Sequence, residues 1–130
     1  MVDIRKIGIV GCGNVGATIA YTLMESGMFS EMALVDSNEA KARGEAMDLN
    51  HCLPFLAPMQ IYQSSYTGLS DASIIVIAAG ANQKQGETRL DLLHRNIRIF
   101  GEIVSRITEV NKDCILLVVS NPVDILTYVT

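Results

Sequence analysis

A glycine-rich hexapeptide near the amino terminus has residue types and a spacing that could bind a phosphorylated ligand. Residues 11–16 read Gly-Cys-Gly-Asn-Val-Gly, after the apolar run Lys6–Val10 and before a stretch of helical periodicity. At such a turn Gly11 permits the tight bend, Gly13 lets backbone N–H groups approach a pyrophosphate, and Gly16 allows close helix packing. A helix N-terminus adds donors and a positive dipole end. A glycine turn without a ligand is the alternative.

An acidic residue lies where a ribose ligand would be expected. Asp36 follows the next apolar run, about 20 residues beyond Gly16, and its carboxylate could accept hydrogen bonds from both hydroxyls of an adenosine ribose. The same charge repels a 2′-phosphate. Ser37 and Asn38 follow in place of an arginine that would bind that phosphate. The sequence therefore predicts a site for NAD rather than NADP, with a helix cap as the alternative role of Asp36.

A polar segment between two glycines, Gly80 and Gly86, continues through Glu87 and Thr88 to Arg89. In a doubly wound sheet, segments that leave the carboxyl ends of strands border the ligand crevice. The segment, here called the polar loop (Gly80–Arg89), is therefore predicted to be a hinged lid, with an ordinary surface loop as the alternative.

These candidate residues require a scaffold of alternating strands and helices. Apolar β-branched runs alternate with helical periods along all 130 residues, which predicts an α/β fold with a doubly wound parallel sheet of the Rossmann type. One domain is expected. Five strands are predicted, at Lys6–Val10, Met32–Asp36, Gln60–Gln63, Ser73–Ala79 and Cys114–Ser120.

Four helices are predicted between and after these strands. Pro54 is expected to end the second helix, and Asn121 is expected to cap the fourth with Pro122 at its first position. The predicted helices are Asn14–Ser26, a second from after Asn38 to about Leu53, a third from about Arg89 to Asn111, and a fourth from Asn121-Pro122 onward.

Composition and charge exclude several classes of partner. The net charge is −4 and no basic stripe occurs, so neither nucleic acid nor a membrane is an expected partner. The amino terminus has no secretory pattern, which predicts a cytoplasmic protein. The three cysteines lack C-x-x-C spacing, so neither disulfides nor a metal site is expected. A reactive thiol at Cys12, beside a helix N-terminus, is a minor alternative.

Three motifs together resemble the L-2-hydroxy acid dehydrogenases, the lactate/malate dehydrogenase family, and within it the L-lactate dehydrogenases. They are Gly-Cys-Gly-Asn-Val-Gly at 11–16, Gly-Ala-Asn-Gln-Lys-Gln-Gly-Glu-Thr-Arg at 80–89, and Ser-Asn-Pro-Val-Asp at 120–124. They span the chain in the order found in the family. The resemblance implies that the intact protein interconverts L-lactate and pyruvate by hydride transfer, with NAD as the cofactor.

The resemblance also implies roles for individual residues. Arg89 would polarise the ketone carbonyl, because a guanidinium stays charged and stabilises a developing oxyanion. Gln83 would face the substrate side chain, where the family has glutamine for pyruvate and arginine for oxaloacetate. Asn121 would contact substrate and nicotinamide, and Asp124 would lie at the substrate end. The implied cofactor residues are Gly11, Gly13, Asn14, Val15, Gly16, Asp36, Lys41, Tyr66, Gly80, Ala81, Val119, Ser120 and Asn121, whereas Glu102 departs from the family pattern.

Several parts that the resemblance implies have no match in these residues. They are the histidine and aspartate of the general acid, the arginine that binds the substrate carboxylate, and the sixth strand of the sheet, all expected beyond Thr130. The expectation is therefore a truncated NAD-binding domain, 1–130, that lacks the substrate domain and binds NAD without turnover. The intact protein is expected to be a homo-oligomer. The alternatives are a malate or other L-2-hydroxy acid dehydrogenase and a nucleotide-binding sensor without catalysis.

Overall fold

The computed structural model describes residues 1–130 and contains one five-stranded parallel sheet. The order across the sheet is β3-β2-β1-β4-β5, which confirms the predicted Rossmann-type α/β fold. The observed boundaries differ from the predicted ones by three residues at most. The strands are Asp3–Val10 (β1), Glu31–Val35 (β2), Gln60–Gln63 (β3), Ala72–Ile77 (β4) and Ile115–Val118 (β5).

The order in which strands are added to the sheet reverses beside β1, although all five strands are parallel. The chain runs outward from β1 to β3, returns to form β4 on the other side of β1, and continues outward to β5. Val10 pairs with Val35 on β2 and with Ile77 on β4, so these three strands end at one level. Loops that leave this edge diverge to opposite faces, which opens the crevice characteristic of a topological switch point.

Four α-helices connect and follow the strands. The first and third match their predicted ranges closely, and the second ends just before a short 3₁₀ turn at Leu53–Phe55 that contains Pro54. None of the helices combines the length and the apolar character needed to span a bilayer. The helices are Asn14–Ser26 (α1), Glu39–Cys52 (α2), Arg89–Val110 (α3) and Val123–Val129 (α4).

Buried apolar side chains lie on both faces of the sheet. Because successive strand residues point to opposite faces, Ile9 packs with Met24 of α1, whereas Val10 packs in the cluster that contains Phe100 and Ile107 of α3. Both faces of β1 and β4 are thus covered, which explains why these strands are continuous apolar runs.

The predicted start of the fourth helix is wrong. The helix begins at Val123, and Pro122 occupies the capping position, with an extended backbone and no side-chain cap. The Pro122 carbonyl accepts the Leu126 N–H at 3.0 Å, as the first carbonyl of a helix does. Asn121 therefore lies outside the helix, because the chain stays extended through Pro122 before it turns.

A buried lysine ties together the amino-terminal edge of the sheet. Lys6, on β1, lies 2.9 Å from Glu31 and 2.6 Å from Asp71, and Tyr62 donates to Glu31 at 2.6 Å. Burial alone would lower the pKa of Lys6, but hydrogen bonds with Asp71, Glu31 and Tyr62 outweigh it and raise that pKa above its ordinary value. The hydrogen bond with Lys6 in turn lowers the pKa of Asp71.

Replacing this lysine by methionine should destabilise the fold most strongly near neutral pH. The lowered pKa of Asp71 adds stability above about pH 4 that is lost as pH falls, and the raised pKa of Lys6 adds stability below about pH 10 that is lost at higher pH. We expect Lys6→Met to lower the free energy of unfolding by about 1–3 kcal/mol at pH 7, since Asp71 is half-exposed.

Urea unfolding at pH 7 and pH 3 measures this effect, with Lys112→Met as the matched control because Lys112 is exposed. The loss should shrink at pH 3, because the stability that comes from the lowered pKa of Asp71 is partly lost at that pH. An equal loss at both pH values, or an equal loss in the control, would contradict the assignment.

Candidate functional site

A crevice of about 890 Å³ lies at the carboxyl ends of β1, β2 and β4. It is lined by the glycine loop, by the residues after β2, by the turn after β3 and by one side of α3. Nine of the predicted cofactor residues line it: Gly11, Gly13, Asn14, Val15, Asp36, Lys41, Tyr66, Gly80 and Ala81. The sheet topology therefore brings together residues that are far apart in sequence.

Two of the three glycines in the loop are required by close packing. Gly11 has φ +98°, in the region that side chains disfavour, and a Cβ there would meet the backbone of Ala79. A Cβ on Gly16 would meet the carbonyl oxygen of Gly11. These contacts hold the start of α1 against the ends of β1 and β4, as expected for the first and third glycines of the motif.

Gly13, the middle glycine, faces open space instead. A Cβ built on it would have nothing within 4 Å, and the residue lines the crevice. Gly13 also occupies the N-cap position of α1, where no side chain bonds to the free N–H groups of the first turn. Open space next to uncapped helix donors fits a pyrophosphate, which would receive hydrogen bonds from backbone N–H groups there.

Asp36 is held in place by backbone hydrogen bonds to both carboxylate oxygens. The Cys12 N–H donates to Oδ2 at 2.7 Å and the Asn38 N–H donates to Oδ1 at 2.8 Å. Each oxygen keeps a second acceptor position, so the carboxylate can also accept hydroxyl donors of a ribose. The bond from Cys12 couples the glycine loop directly to the residue predicted to bind ribose.

The structure contradicts a reactive thiol at Cys12. The side chain is buried, and its sulfur lies 3.8 Å from the Val35 carbonyl oxygen. Burial, reinforced by the nearby Asp36 carboxylate, raises the pKa of Cys12 to about 12. The thiol is therefore protonated at neutral pH, which overcomes any effect of the helix N-terminus.

At one end of the crevice Tyr66, a predicted cofactor residue, pairs with Arg106, which was not predicted from the sequence. The guanidinium carbon of Arg106 lies 5.4 Å from the ring centroid of Tyr66, within the range of a cation–π contact. Burial raises the pKa of Tyr66, with Arg106 opposing the shift and the Asp36 and Glu102 carboxylates adding to it. Arg106 was not predicted because only the packing of α3 against the turn at Tyr66–Leu69 brings it to the crevice.

A buried asparagine on α3 supports the crevice wall and was also missed. Asn96 is 3% exposed, and its Oδ1 accepts the Ala81 N–H at 2.8 Å. The other buried residues of α3 form an apolar stripe of Phe100, Ile103 and Ile107. In the sequence, the only sign of this role was that Asn96 falls at the helical spacing of the buried stripe. Its partner, Ala81, lies outside α3, so the sequence of the helix could not identify the hydrogen bond.

The polar loop leaves the crevice at its amino-terminal end. Gly80, Ala81 and Asn82 line the crevice, whereas Gln83 and Arg89 are exposed and lie outside it. The Gln83 Nε2 group donates to the Glu87 carbonyl oxygen at 2.8 Å, within the loop itself. Substrate contacts of Gln83 and Arg89 therefore stay predictions.

The residues after β5 form the wall next to β4 rather than the lining of the crevice. Ser120 donates to the Ala79 carbonyl oxygen at 2.6 Å, and the Val119 N–H donates to the Ile77 carbonyl at 3.1 Å. Asn121 and Asp124 are exposed. Their predicted contacts with cofactor and substrate, like those of Val119 and Ser120, stay predictions, and no group of three or more potential metal ligands occurs in the chain.

Comparison with known proteins gives a family match over almost the whole chain. The family model described as lactate/malate dehydrogenase, NAD binding domain, matches residues 5–130. An L-lactate dehydrogenase of Acetivibrio thermocellus is 57% identical over 127 residues, which cover 98% of this chain and 40% of that protein. A probable L-lactate dehydrogenase of Schizosaccharomyces pombe is 54% identical over 125 residues, or 96% of this chain and 38% of that one.

Solved structures resemble the whole fold. A lactate dehydrogenase from a Medee basin deep-sea metagenome library has a TM-score of 0.94 and 46% identity, over 97% of this chain and 40% of that one. Malate dehydrogenase from Archaeoglobus fulgidus in complex with NADH has a TM-score of 0.89 and 42% identity, over 95% and 43% of the two chains. The chain thus spans about two fifths of the length of the relatives it matches.

Alanine at two of the loop glycines should separate binding from stability. Gly13→Ala should weaken NADH binding about tenfold or more while changing the free energy of unfolding by less than about 1 kcal/mol, since its Cβ enters only open space. Gly16→Ala should destabilise the fold by about 1–3 kcal/mol, because its Cβ meets a backbone carbonyl.

Fluorescence titration with NADH and thermal unfolding of both variants measure the two effects. The two variants serve as controls for each other, since each adds one methyl group to the same loop. Equal stability of the two, or unchanged binding by Gly13→Ala, would contradict the proposed division of roles.

Proposed function

The chain belongs to the lactate/malate dehydrogenase family, in which it is the NAD-binding domain, and from this premise we propose that the whole protein interconverts L-lactate and pyruvate. The observation that carries the proposal is the continuity of the crevice with the polar loop. Gly80–Asn82 line the crevice, and the next residue is Gln83, the predicted substrate selector.

The residues of this chain supply binding and orientation for the dinucleotide. The first turn of α1 would hold the pyrophosphate, and the Asp36 carboxylate would hold the adenosine ribose, fixed by the Cys12 and Asn38 N–H groups. The negative charge of Asp36, with Ser37 beside it, disfavours a 2′-phosphate. When bound, the nicotinamide supplies the hydride acceptor or donor of the reaction.

Arg89 would polarise the substrate carbonyl. It is the first residue of α3, is exposed and makes no ion pair within the chain, so its charge is free to bind an anionic group. A capping box between Thr88 and Asp91 fixes the backbone immediately before it. Closure of the polar loop would bring the guanidinium to a developing oxyanion in a drier environment, where its stabilising effect is larger.

Gln83 would select pyruvate over dicarboxylic substrates. Its side chain is neutral, so a second substrate carboxylate would lose hydration without gaining an ion partner. Asn121 and Asp124 complete the proposed substrate end. Proton transfer is proposed to depend on groups outside these 130 residues, and the chain alone is proposed to bind NAD without turnover.

Malate dehydrogenation is the second candidate. Lys84 follows Gln83 directly, and its exposed ammonium could approach a second carboxylate when the loop moves. The structural likeness to a malate dehydrogenase also favours testing it. We extend the main proposal, on the strength of the family membership, to a homo-oligomer in the cytoplasm.

Removing the Asp36 carboxylate should weaken NADH binding and reduce the preference over NADPH. Charged hydrogen bonds contribute about 1.5–3 kcal/mol, so Asp36→Ala should weaken NADH at least about tenfold and leave NADPH nearly unchanged. Glu39→Ala is the matched control, because Glu39 also lines the crevice but accepts none of these backbone bonds. Unchanged affinity for both dinucleotides in Asp36→Ala would refute the ribose assignment.

The substrate proposal is tested by NADH oxidation in the whole protein. Pyruvate should be reduced faster than oxaloacetate, and Gln83→Arg should shift kcat/KM toward oxaloacetate by about a hundredfold or more, since a buried carboxylate gains an ion partner. Gln85→Arg, at another exposed glutamine of the loop, controls for added charge. A wild-type protein already faster on oxaloacetate would establish the malate candidate. Turnover by the 130-residue chain alone would refute the proposal that this chain binds NAD without turnover.

A further inference from the structure

The two limbs of the polar loop meet at one arginine of α3. The Nη2 group of Arg95 donates to the Asn82 carbonyl oxygen at 2.7 Å, in the limb that leaves the crevice. The same group lies 3.0 Å from Glu87 Oε2, in the limb that returns to α3. A single guanidinium nitrogen therefore bridges residues five positions apart across the loop.

Glu87 extends this bridge into the middle of the loop. Its Oε2 atom also accepts the Lys84 N–H at 2.8 Å, and its carbonyl oxygen accepts the Gln83 Nε2 group at 2.8 Å. The Glu87 N–H donates back to the Lys84 carbonyl at 3.1 Å. The conformation of Gln83 is thus linked through Glu87 to Arg95.

Partial burial strengthens this ion pair relative to a pair on the open surface. The Glu87 side chain is 14% exposed and the Arg95 side chain is 28% exposed. The Arg95 Nε atom is buried and has no hydrogen-bond partner, so both loop contacts of the side chain are made by Nη2. Losing Nη2 would therefore remove both contacts together and leave the Glu87 carboxylate without its cation.

We propose that Arg95 is a positioning residue that holds the polar loop in one conformation and thereby positions Gln83 for substrate recognition. The inference deepens the proposed function and rests on it for the identity of the substrate. The role assigned to Arg95 is indirect: it contacts loop residues and neither substrate nor cofactor. Its effect reaches Gln83 through Asn82 and Glu87.

The physical reason is the conformational entropy of the loop. A polar segment with glycine near each end has many accessible conformations unless side chains restrain it. If Arg95 holds the two limbs of the loop together, the loop can close over the substrate as one unit, and substrate binding need not also order its internal conformation. Loss of the restraint should therefore raise the KM for pyruvate more than it lowers kcat, and should leave the KM for NADH nearly unchanged.

Steady-state kinetics of variants in the whole protein test this role. We expect Arg95→Gln to raise the KM for pyruvate by about tenfold, with kcat within about threefold of the wild type. Arg95→Lys should recover part of the loss, since one ammonium can contact both acceptors. Arg98→Gln is the matched control, because Arg98 is an exposed arginine on the same helix that makes no hydrogen bond or ion pair with the loop.

The partner residue provides a second variant and a coupling test. Glu87→Gln should raise the KM for pyruvate similarly, and the double variant should be no worse than either single one, because both remove the same contact. If Arg95→Gln fails to fold, Glu87→Gln carries the test alone. Independent, multiplicative effects of the two substitutions would overturn the linkage.

Hydrogen–deuterium exchange separates failure of this inference from failure of the proposed function. Arg95→Gln should speed amide exchange in residues 82–87 by about tenfold or more, with residues 11–16 unchanged, whatever the substrate is. A wild type inactive on pyruvate but with this exchange pattern would refute the substrate proposal and leave the restraint supported. Unchanged exchange together with unchanged KM, or equal losses of stability, NADH binding and kcat, would overturn the positioning role.

Discussion

The contact between Gly16 and the carbonyl oxygen of Gly11 is the constraint on which the site depends. No side chain fits between them, so α1 begins immediately beside the end of β1. This placement leaves Gly13 facing open space and directs the Cys12 N–H to Asp36 at 2.7 Å. The backbone donors proposed for the pyrophosphate and the carboxylate proposed for the ribose are therefore positioned by one local packing requirement.

The sheet extends this local arrangement into a crevice. Because β1, β2 and β4 end in register, the segments after them reach the same edge although they are far apart in sequence. The polar loop leaves from that edge and returns to α3, where Asn96 holds its beginning and Arg95 joins its two limbs. The crevice is thus held by backbone packing on the side of the glycine loop and by single side chains on the side of the polar loop.

Features with a local cause could be predicted from the sequence. The glycine spacing, Asp36 and the strands depend on nearby residues and on apolar runs, and their positions in the fold were confirmed. Asn96 and Arg106 were missed because their partners, Ala81 and Tyr66, lie on other elements and come close only after α3 packs. The start of the fourth helix was misplaced by one residue because Asn-Pro is compatible with both a helix cap and an extended lead into a helix. The pKa of Cys12 could not be predicted because it depends on burial, which the loop sequence does not reveal.

The central claim is that a dinucleotide binds along the crevice from the glycine loop to Asp36. The most direct measurement is a titration of the ¹⁵N-labelled chain with NADH, followed by the backbone amide resonances. The account predicts that the largest shifts occur in residues 11–15, in 36–41 and in 80–82, which line the crevice. Shifts confined to other surfaces, or none at saturating NADH, would contradict it.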